Sequence, residues 1–206
     1  MKLDFSDKIQ LFCAASTHMD KTIGAIKHCM DTANFEKVTL LTHLDIDEAG
    51  IEAIRIPKIT GVEEYSRIII KDMPGLITSG FALTVQWDGF IVYPESWSDE
   101  FYEFDYIGAP WPGWSGPEPI CGNGGFCLKS RKFLEAQKVI CANVEVFHPE
   151  DVVLCQTLRQ NFVDMGIRYA PADVAYRFST EVGDLHKNKS FGFHDFRYNN
   201  PFNKEN

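Results

Sequence analysis

Residues 9–17 read Ile9-Gln10-Leu11-Phe12-Cys13-Ala14-Ala15-Ser16-Thr17. The run is apolar at almost every position and ends in small residues. That is the pattern of a strand covered on both faces which then opens into a loop. Apolar residues next recur at helical spacing, with Ile23, Ile26 and Met30 inside residues 22–33. Residues 38–44, Val38-Thr39-Leu40-Leu41-Thr42-His43-Leu44, then read as a second strand. A strand–helix–strand alternation of this kind predicts an α/β protein with a largely parallel sheet.

The same reading extends outward. Residues 54–59 form a third candidate strand, stopped by Pro57. Residues 62–77 are expected to be helical, with Gly61 before them and Pro74-Gly75 disturbing their end. Residues 81–85 read as a buried strand that breaks at the turn-prone pair Asp88-Gly89, and residues 90–93 resume extended chain. Residues 105–125, rich in Gly, Pro and Trp, are expected to form a long structured loop, a feature usually kept for function. Residues 131–142 and 150–165 read as helices, and residues 167–169 and 174–178 as short strands.

At 206 residues the chain suits one domain, assigned to residues 1–198, with a polar tail over 199–206. Twenty basic residues against 29 acidic ones leave a net charge of −9, which repels phosphate backbones and argues against nucleic acid as a partner. The six cysteines, Cys13, Cys29, Cys121, Cys127, Cys141 and Cys155, form no CxxC pair and sit mostly in apolar runs. They read as buried thiols rather than a zinc site or a disulfide frame. No stretch reaches the roughly 18 apolar residues of a membrane span, and Met1-Lys2-Leu3-Asp4-Phe5 is no apolar leader, so a cytoplasmic location is expected.

Five places hold residues able to do chemistry. Asp88, in Gln86-Trp87-Asp88-Gly89, follows a strand whose end faces the crevice where open α/β sheets bind ligands, and a carboxylate there suits a hard divalent cation. The plain alternative is an Asp-Gly turn. Gly122-Asn123-Gly124-Gly125 lets backbone approach a ligand, and Asn123 offers a donor and an acceptor to sugar hydroxyls. Trp111 and Trp114 nearby favour a sugar pocket over a bare loop. Glu150 and Asp151 are adjacent carboxylates fit for proton transfer, or simply acids charging a helix start. His194, in Phe191-Gly192-Phe193-His194, is either a metal ligand or a structural histidine. Arg67 and Lys71, four apart, present two cations to a diphosphate or line a solvated face beside Glu63 and Glu64.

In order, these blocks resemble a family of GT-A-type nucleotide-sugar glycosyltransferases first catalogued as a domain of unknown function. The resemblance lies in Glu64-Tyr65-Ser66-Arg67, Val85-Gln86-Trp87-Asp88-Gly89-Phe90, Phe104-Asp105-Tyr106-Ile107-Gly108-Ala109-Pro110-Trp111, Gly122-Asn123-Gly124-Gly125-Phe126-Cys127-Leu128-Lys129-Ser130, Pro149-Glu150-Asp151 and Phe191-Gly192-Phe193-His194. It implies a GT-A fold, a single Rossmann-like domain with a mostly parallel mixed sheet flanked by helices. It also implies a UDP-sugar donor, a glycan or other hydroxyl acceptor, and Mn2+ or Mg2+ as cofactor. In such enzymes an Asp-X-Asp motif binds metal and donor. Here Gln86 stands at the first acid and Asp88 keeps the second, with His194 matching a late metal-binding histidine.

The nucleotide-sugar pocket implied in this way takes Ala14, Ala15, Ser16, Thr17, Arg67, Lys71, Gln86, Trp87, Asp88, Asn123, Gly124 and Gly125. Asp151 or Glu150 is the catalytic carboxylate, and Asp88 and His194 hold the metal. Two rivals stand beside this. A sugar nucleotidyltransferase usually opens with a Gly-rich basic loop, whereas residues 14–21 contain no glycine. A sugar-nucleotide-binding module without turnover gains from the missing acid at position 86.

Overall fold

The computed structural model describes residues 2–111, 121–145, 147–182 and 185–195. Its centre is a six-stranded sheet in the order β3-β2-β1-β4-β6-β5, made of β1 (Leu3–Ala14), β2 (Ala33–Thr42), β3 (Glu52–Arg55), β4 (Phe81–Thr84), β5 (Tyr106–Gly108) and β6 (Cys127–Ser130). The pairs β1/β2, β2/β3 and β1/β4 are parallel, and β6 runs antiparallel to both β4 and β5. The expected mostly parallel sheet is present.

The apolar run at residues 9–14 is explained by burial on both faces. Ile9, Leu11 and Cys13 pack on one side with Ala25, Ile26 and Cys29 of α1 (Met19–Thr32). Phe12 and Ala14 pack on the other with Ile68, Ile69 and Met73. Successive strand residues point to opposite faces, so helices on both sides demand apolar residues at nearly every position. The second layer comes from α2 (Val62–Arg67), which passes through a π-helical turn at Ile68–Asp72 into α3 (Met73–Leu76).

Beyond the sheet lie α4 (Arg131–Ile140), α5 (Glu150–Val152), a second π-helical turn (Val153–Thr157), α6 (Arg159–Asp164), α7 (Ala172–Phe178) and α8 (Leu185–Asn188). A two-stranded parallel pair joins β7 (Ser179–Thr180) to β8 (Gly192–Phe193). Among the described residues no helix is long and apolar enough to cross a membrane. All six cysteines are buried thiols, and burial pushes Cys13 and Cys29 up to about 12.

Several expected elements differ. Residues 174–178 belong to helix α7, where Val174, Ala175 and Phe178 are buried at helical spacing behind Pro171. Residues 90–93 and 167–169 make only isolated bridges, Ile91 to Gly192 and Tyr169 to Tyr106. The long loop expected over 105–125 contains β5, and its residues 112–120 lie outside the described residues, as does the 199–206 tail. Strand β6 has no alternating signal because all four of its residues are buried, Lys129 among them.

Candidate active site

The chain leaves β1 toward β2 on one side and returns to β4 on the other. The carboxyl ends of β1 and β4 therefore frame the crevice that open α/β sheets use for ligands. A cleft of about 460 Å3 opens there. It is lined by residues 13–17 at the end of β1 and beyond, 59–62 with Tyr65 and Ser66 of α2, Gln86 and Trp87 after β4, and residues 148–151. Ala14, Ala15, Ser16, Thr17, Gln86, Trp87, Glu150 and Asp151 thus share one cavity. Ser16 secures the first wall, its Oγ accepting from Ile59 N at 2.9 Å and lying 3.2 Å from His43 Nδ1.

Asp88 occupies a turn and also faces a partner. Gln86 N–H donates to Gly89 O at 3.0 Å, and Gly89 N–H donates back to Gln86 O at 3.1 Å. This tight turn projects Asp88 Oδ1 to 3.7 Å from His194 Nε2. The oxygen is buried and has no hydrogen-bond partner among the described residues. Burial raises the Asp88 carboxyl above its usual range, against the lowering effect of His194.

His194 is held from several sides. Its N–H donates to Thr180 O at 3.0 Å, and Asp195 N–H donates to Asp88 O at 3.0 Å, so the segment after β8 is laced to β7 and to the β4 turn. A β-carbon on Gly125 would fall 2.1 Å from His194 Cδ2, so only glycine admits the imidazole. Asn123, 3% exposed, accepts at Oδ1 from Gly125 N (2.9 Å). Its Nδ2 donates to Glu181 Oε1 (2.8 Å) and lies 3.0 Å from His194 Nδ1. Burial disfavours the charged imidazole, but the bond to Glu181 and the charges of Asp88, Glu181 and Asp195 outweigh it and raise its pKa. The Asn123 amide expected to meet sugar hydroxyls is instead spent on Gly125, Glu181 and His194.

Gln86 links this cluster to the cleft. Its Nε2 donates to Tyr65 OH at 2.6 Å, and its Oε1 lies 3.2 Å from His194 Nε2. Among the described residues no three His, Cys, Asp or Glu side chains group as a metal site. Asp88 Oδ1, His194 Nε2 and the Gln86 amide oxygen converge, but with Asn123 Nδ2 donating to Nδ1 the ring's proton sits on Nε2, facing Gln86 Oε1. That proton must move to Nδ1, toward Glu181 Oε1, before Nε2 can bind an ion. With Nε2 freed of its proton, a mixed oxygen and imidazole set around an orphaned buried carboxylate oxygen fits Mn2+ in donor chemistry better than Mg2+, which prefers oxygen ligands throughout.

The two adjacent acids have different surroundings. Glu150 is 8% exposed, and its Oε2 accepts from Ser66 Oγ at 2.8 Å. Gly124 makes room for it, since a β-carbon there would lie 3.0 Å from Glu150 Oε1. Asp151 accepts from Val152 N at 2.8 Å, and burial, with help from the Glu150 charge, pushes it up to about 6.

Arg67 and Lys71 are not brought to the cleft. Arg67 Nη2 pairs with Asp72 Oδ2 at 2.9 Å. Lys71 Nζ donates to Cys141 O and Ala142 O beyond the end of α4 and sits over the Phe147 ring. Trp111 packs against Gly122, and Trp114 lies outside the described residues. Four residues of the site carried no assigned role from sequence: Tyr65, Ser66, His148 and Glu181. Tyr65 and Ser66 fall within a block that carried the resemblance and a helical reading, but of its residues only Arg67 was given a role. Glu181 follows a two-residue strand and has no local signal at all.

A family model described as a protein of unknown function, DUF5672, matches residues 50–194. The chain belongs to this family. The matched span includes Gln86, Asp88, Asn123, Asp151 and His194 but not β1. No curated protein matches the chain by sequence. Among solved structures it is similar to a glycosyltransferase involved in the glycosylation of the major capsid of PBCV-1, with 15% identity, a TM-score of 0.54, and 92% of this chain and 93% of that one covered. It is similar to the mannosyltransferase PcManGT from Pyrobaculum calidifontis, solved with GDP-Man and Mn2+, with 9% identity, a TM-score of 0.51 and coverage of 81% and 55%. It is also similar to the galactosyltransferase LgtC in complex with donor and acceptor sugar analogs, with 11% identity, a TM-score of 0.50 and coverage of 91% and 87%. At these identities the likeness is one of fold, and the fold is GT-A.

Proposed function

We propose that this DUF5672 protein is a glycosyltransferase that moves a hexose from a nucleotide diphosphate donor, a UDP-sugar, to a hydroxyl of a glycan or similar acceptor. One observation carries this reading. One cleft at the switch point of a GT-A sheet is lined both by a carboxylate held near 6, Asp151, and by the strand-end residue Gln86, which reaches His194, itself 3.7 Å from Asp88. The solved GT-A structures named above, one with GDP-Man and Mn2+, support it.

In this reading residues 14–17 take the nucleotide, their small side chains letting it approach the backbone. Asp151 removes the proton of the acceptor hydroxyl as the acceptor oxygen bonds to the anomeric carbon and the anomeric bond to the diphosphate breaks. A carboxylate poised near neutrality suits that task. Proton removal at the attacking oxygen is the chemistry of direct displacement with inversion. Asp88, His194 and the Gln86 amide oxygen would hold Mn2+ or Mg2+, which when bound supplies neutralising charge to the leaving diphosphate. Asn123 and Glu181 aim the His194 ring, and Gly124 and Gly125 keep room for Glu150 and the imidazole.

A second reading, donor binding without turnover, is favoured by Gln86, a neutral amide where an acid belongs, tied on both sides to Tyr65 and His194. One experiment separates the two. UDP- and GDP-sugars are incubated with the protein, with and without Mn2+, and released nucleotide diphosphate is measured. Release from a UDP-sugar that is lost in Asp151→Asn supports transfer. Binding of the donor with no release from any of them supports the binding module.

A further inference from the structure

The wall of the cleft contains a chain of hydrogen bonds that the proposed transfer leaves unused. Ser66 is fully buried on α2. Its Oγ lies 2.8 Å from Glu150 Oε2 and 3.2 Å from His148 Nδ1. A hydroxyl has one proton to give, and at 2.8 Å Glu150 Oε2 is the acceptor that takes it. Ser66 therefore donates to Glu150, and the hydrogen between Ser66 and His148 belongs to Nδ1. In a neutral imidazole, Nε2 is then bare and can only accept.

His148 is an exposed residue on the lining of the cleft, and no side chain or backbone group among the described residues bonds its Nε2, which is left open to the cleft and solvent. An acceptor in that position repels the lone pairs of phosphate or carbonyl oxygens and welcomes an O–H. A histidine in a nucleotide cleft invites assignment to phosphate. The polarity of this relay assigns it to a hydroxyl.

We propose that the Glu150–Ser66–His148 relay fixes His148 as a hydrogen-bond acceptor that reads one hydroxyl of the bound nucleotide sugar. The identity of the ligand rests on the glycosyltransferase reading, while the direction of the relay does not. Ribose and hexose both carry such hydroxyls, and the experiment tells them apart.

Two measurements test the proposal. Nitrogen-15 NMR at pH 8, with His148 assigned by loss of its signals in His148→Phe, should show the Nδ1–H tautomer in the wild type. In Ser66→Ala the ring should move toward the Nε2–H form. A wild-type Nε2–H tautomer overturns the relay even if the protein turns over donor. Calorimetry then compares UDP-sugar with analogues lacking the ribose 2′-hydroxyl or one hexose hydroxyl. His148→Phe should weaken the parent ligand roughly fivefold to tenfold, the usual worth of one hydrogen bond, and leave one analogue unaffected. Which analogue is spared names the source. Equal weakening of every ligand, or of none, overturns the hydroxyl assignment. A wild type that binds no nucleotide sugar overturns the function reading and the ligand named here, with the tautomer result standing apart from both.

Discussion

A carboxylate that accepts a proton near neutrality must be held above its ordinary range, and burial does this for Asp151. Activity should therefore fall about tenfold per pH unit below roughly 6 and level off above it. Asp151→Asn should lower kcat/KM by about 10²-fold or more and abolish that acid limb. The stability sign follows from the same shift. With an ordinary value of 3.8 and a folded value of about 6, the protonated acid favours the folded state. That contribution is complete below pH 4, fades between 4 and 6 and is gone above 6. Asp151→Asn should thus raise the melting temperature at pH 8 more than at pH 4, and melts across that range check it. Gly125 offers a second test. An added methyl would meet the His194 ring, so Gly125→Ala should cost about 1–3 kcal/mol through overpacking. His194→Ala in the same chain should recover much of the loss, because the two residues share one space. Additive losses in denaturant titrations would mean that they do not. Sequence pointed to Asp88, Asp151 and His194 because strand ends, paired acids and a late histidine are local patterns. Ser66, His148 and Glu181 were not legible, since their roles come from bonds to residues 58 to 84 positions away.

The elements that build the cleft are shaped by departures from regular helix. Sequence periodicity gave single helices over residues 62–77 and 150–165, but each contains a π-helical turn just after its cleft-lining residues. A widened turn leaves backbone carbonyls to be met from elsewhere, and such turns often mark functional segments. At Ile68–Asp72 the need is met by Gln137 of α4, whose fully buried Nε2 donates to Ile69 O and Ile70 O at 2.9 Å each. Gln137→Leu keeps the bulk and removes both bonds. Each orphaned carbonyl should cost about 1–3 kcal/mol, so urea unfolding should show a substantial loss of stability. A change under 1 kcal/mol would mean the π-helical turn does not depend on Gln137. The long parallel strands were readable because burial on both faces writes an apolar run into the chain. Strand β6 and helix α7 were not. One carries a lysine in the core, and the other is a seven-residue helix whose β-branched and aromatic content mimics a strand.

At the scale of the whole molecule, the protein carries a net charge of −9 and its cleft is lined by two of the acids, Glu150 and Asp151, yet the proposed donor is itself an anion. The cations suggested for the diphosphate, Arg67 and Lys71, are engaged elsewhere. Something must offset the repulsion, and in the proposed reading a divalent cation beside the orphaned Asp88 oxygen does so. Binding of UDP should therefore depend on Mn2+. A ligand that binds only the folded state stabilises it by mass action, about 2.7 kcal/mol at a hundred times its dissociation constant. For a domain of this size each kcal/mol moves the melting temperature by about 2–4 °C. UDP with Mn2+ at that excess should raise the melting temperature by roughly 5–10 °C, and EDTA should cancel the gain. UDP alone should do much less, since the acidic cleft is then uncompensated. Asp88→Ala should erase the difference between the two conditions while leaving the melting temperature of the ligand-free protein within a few degrees, because its buried oxygen makes no hydrogen bond to lose. Equal shifts with and without Mn2+ in the wild type would remove the metal from the donor site. A large fall in the ligand-free melting temperature of Asp88→Ala would make that carboxylate a structural partner of His194 instead.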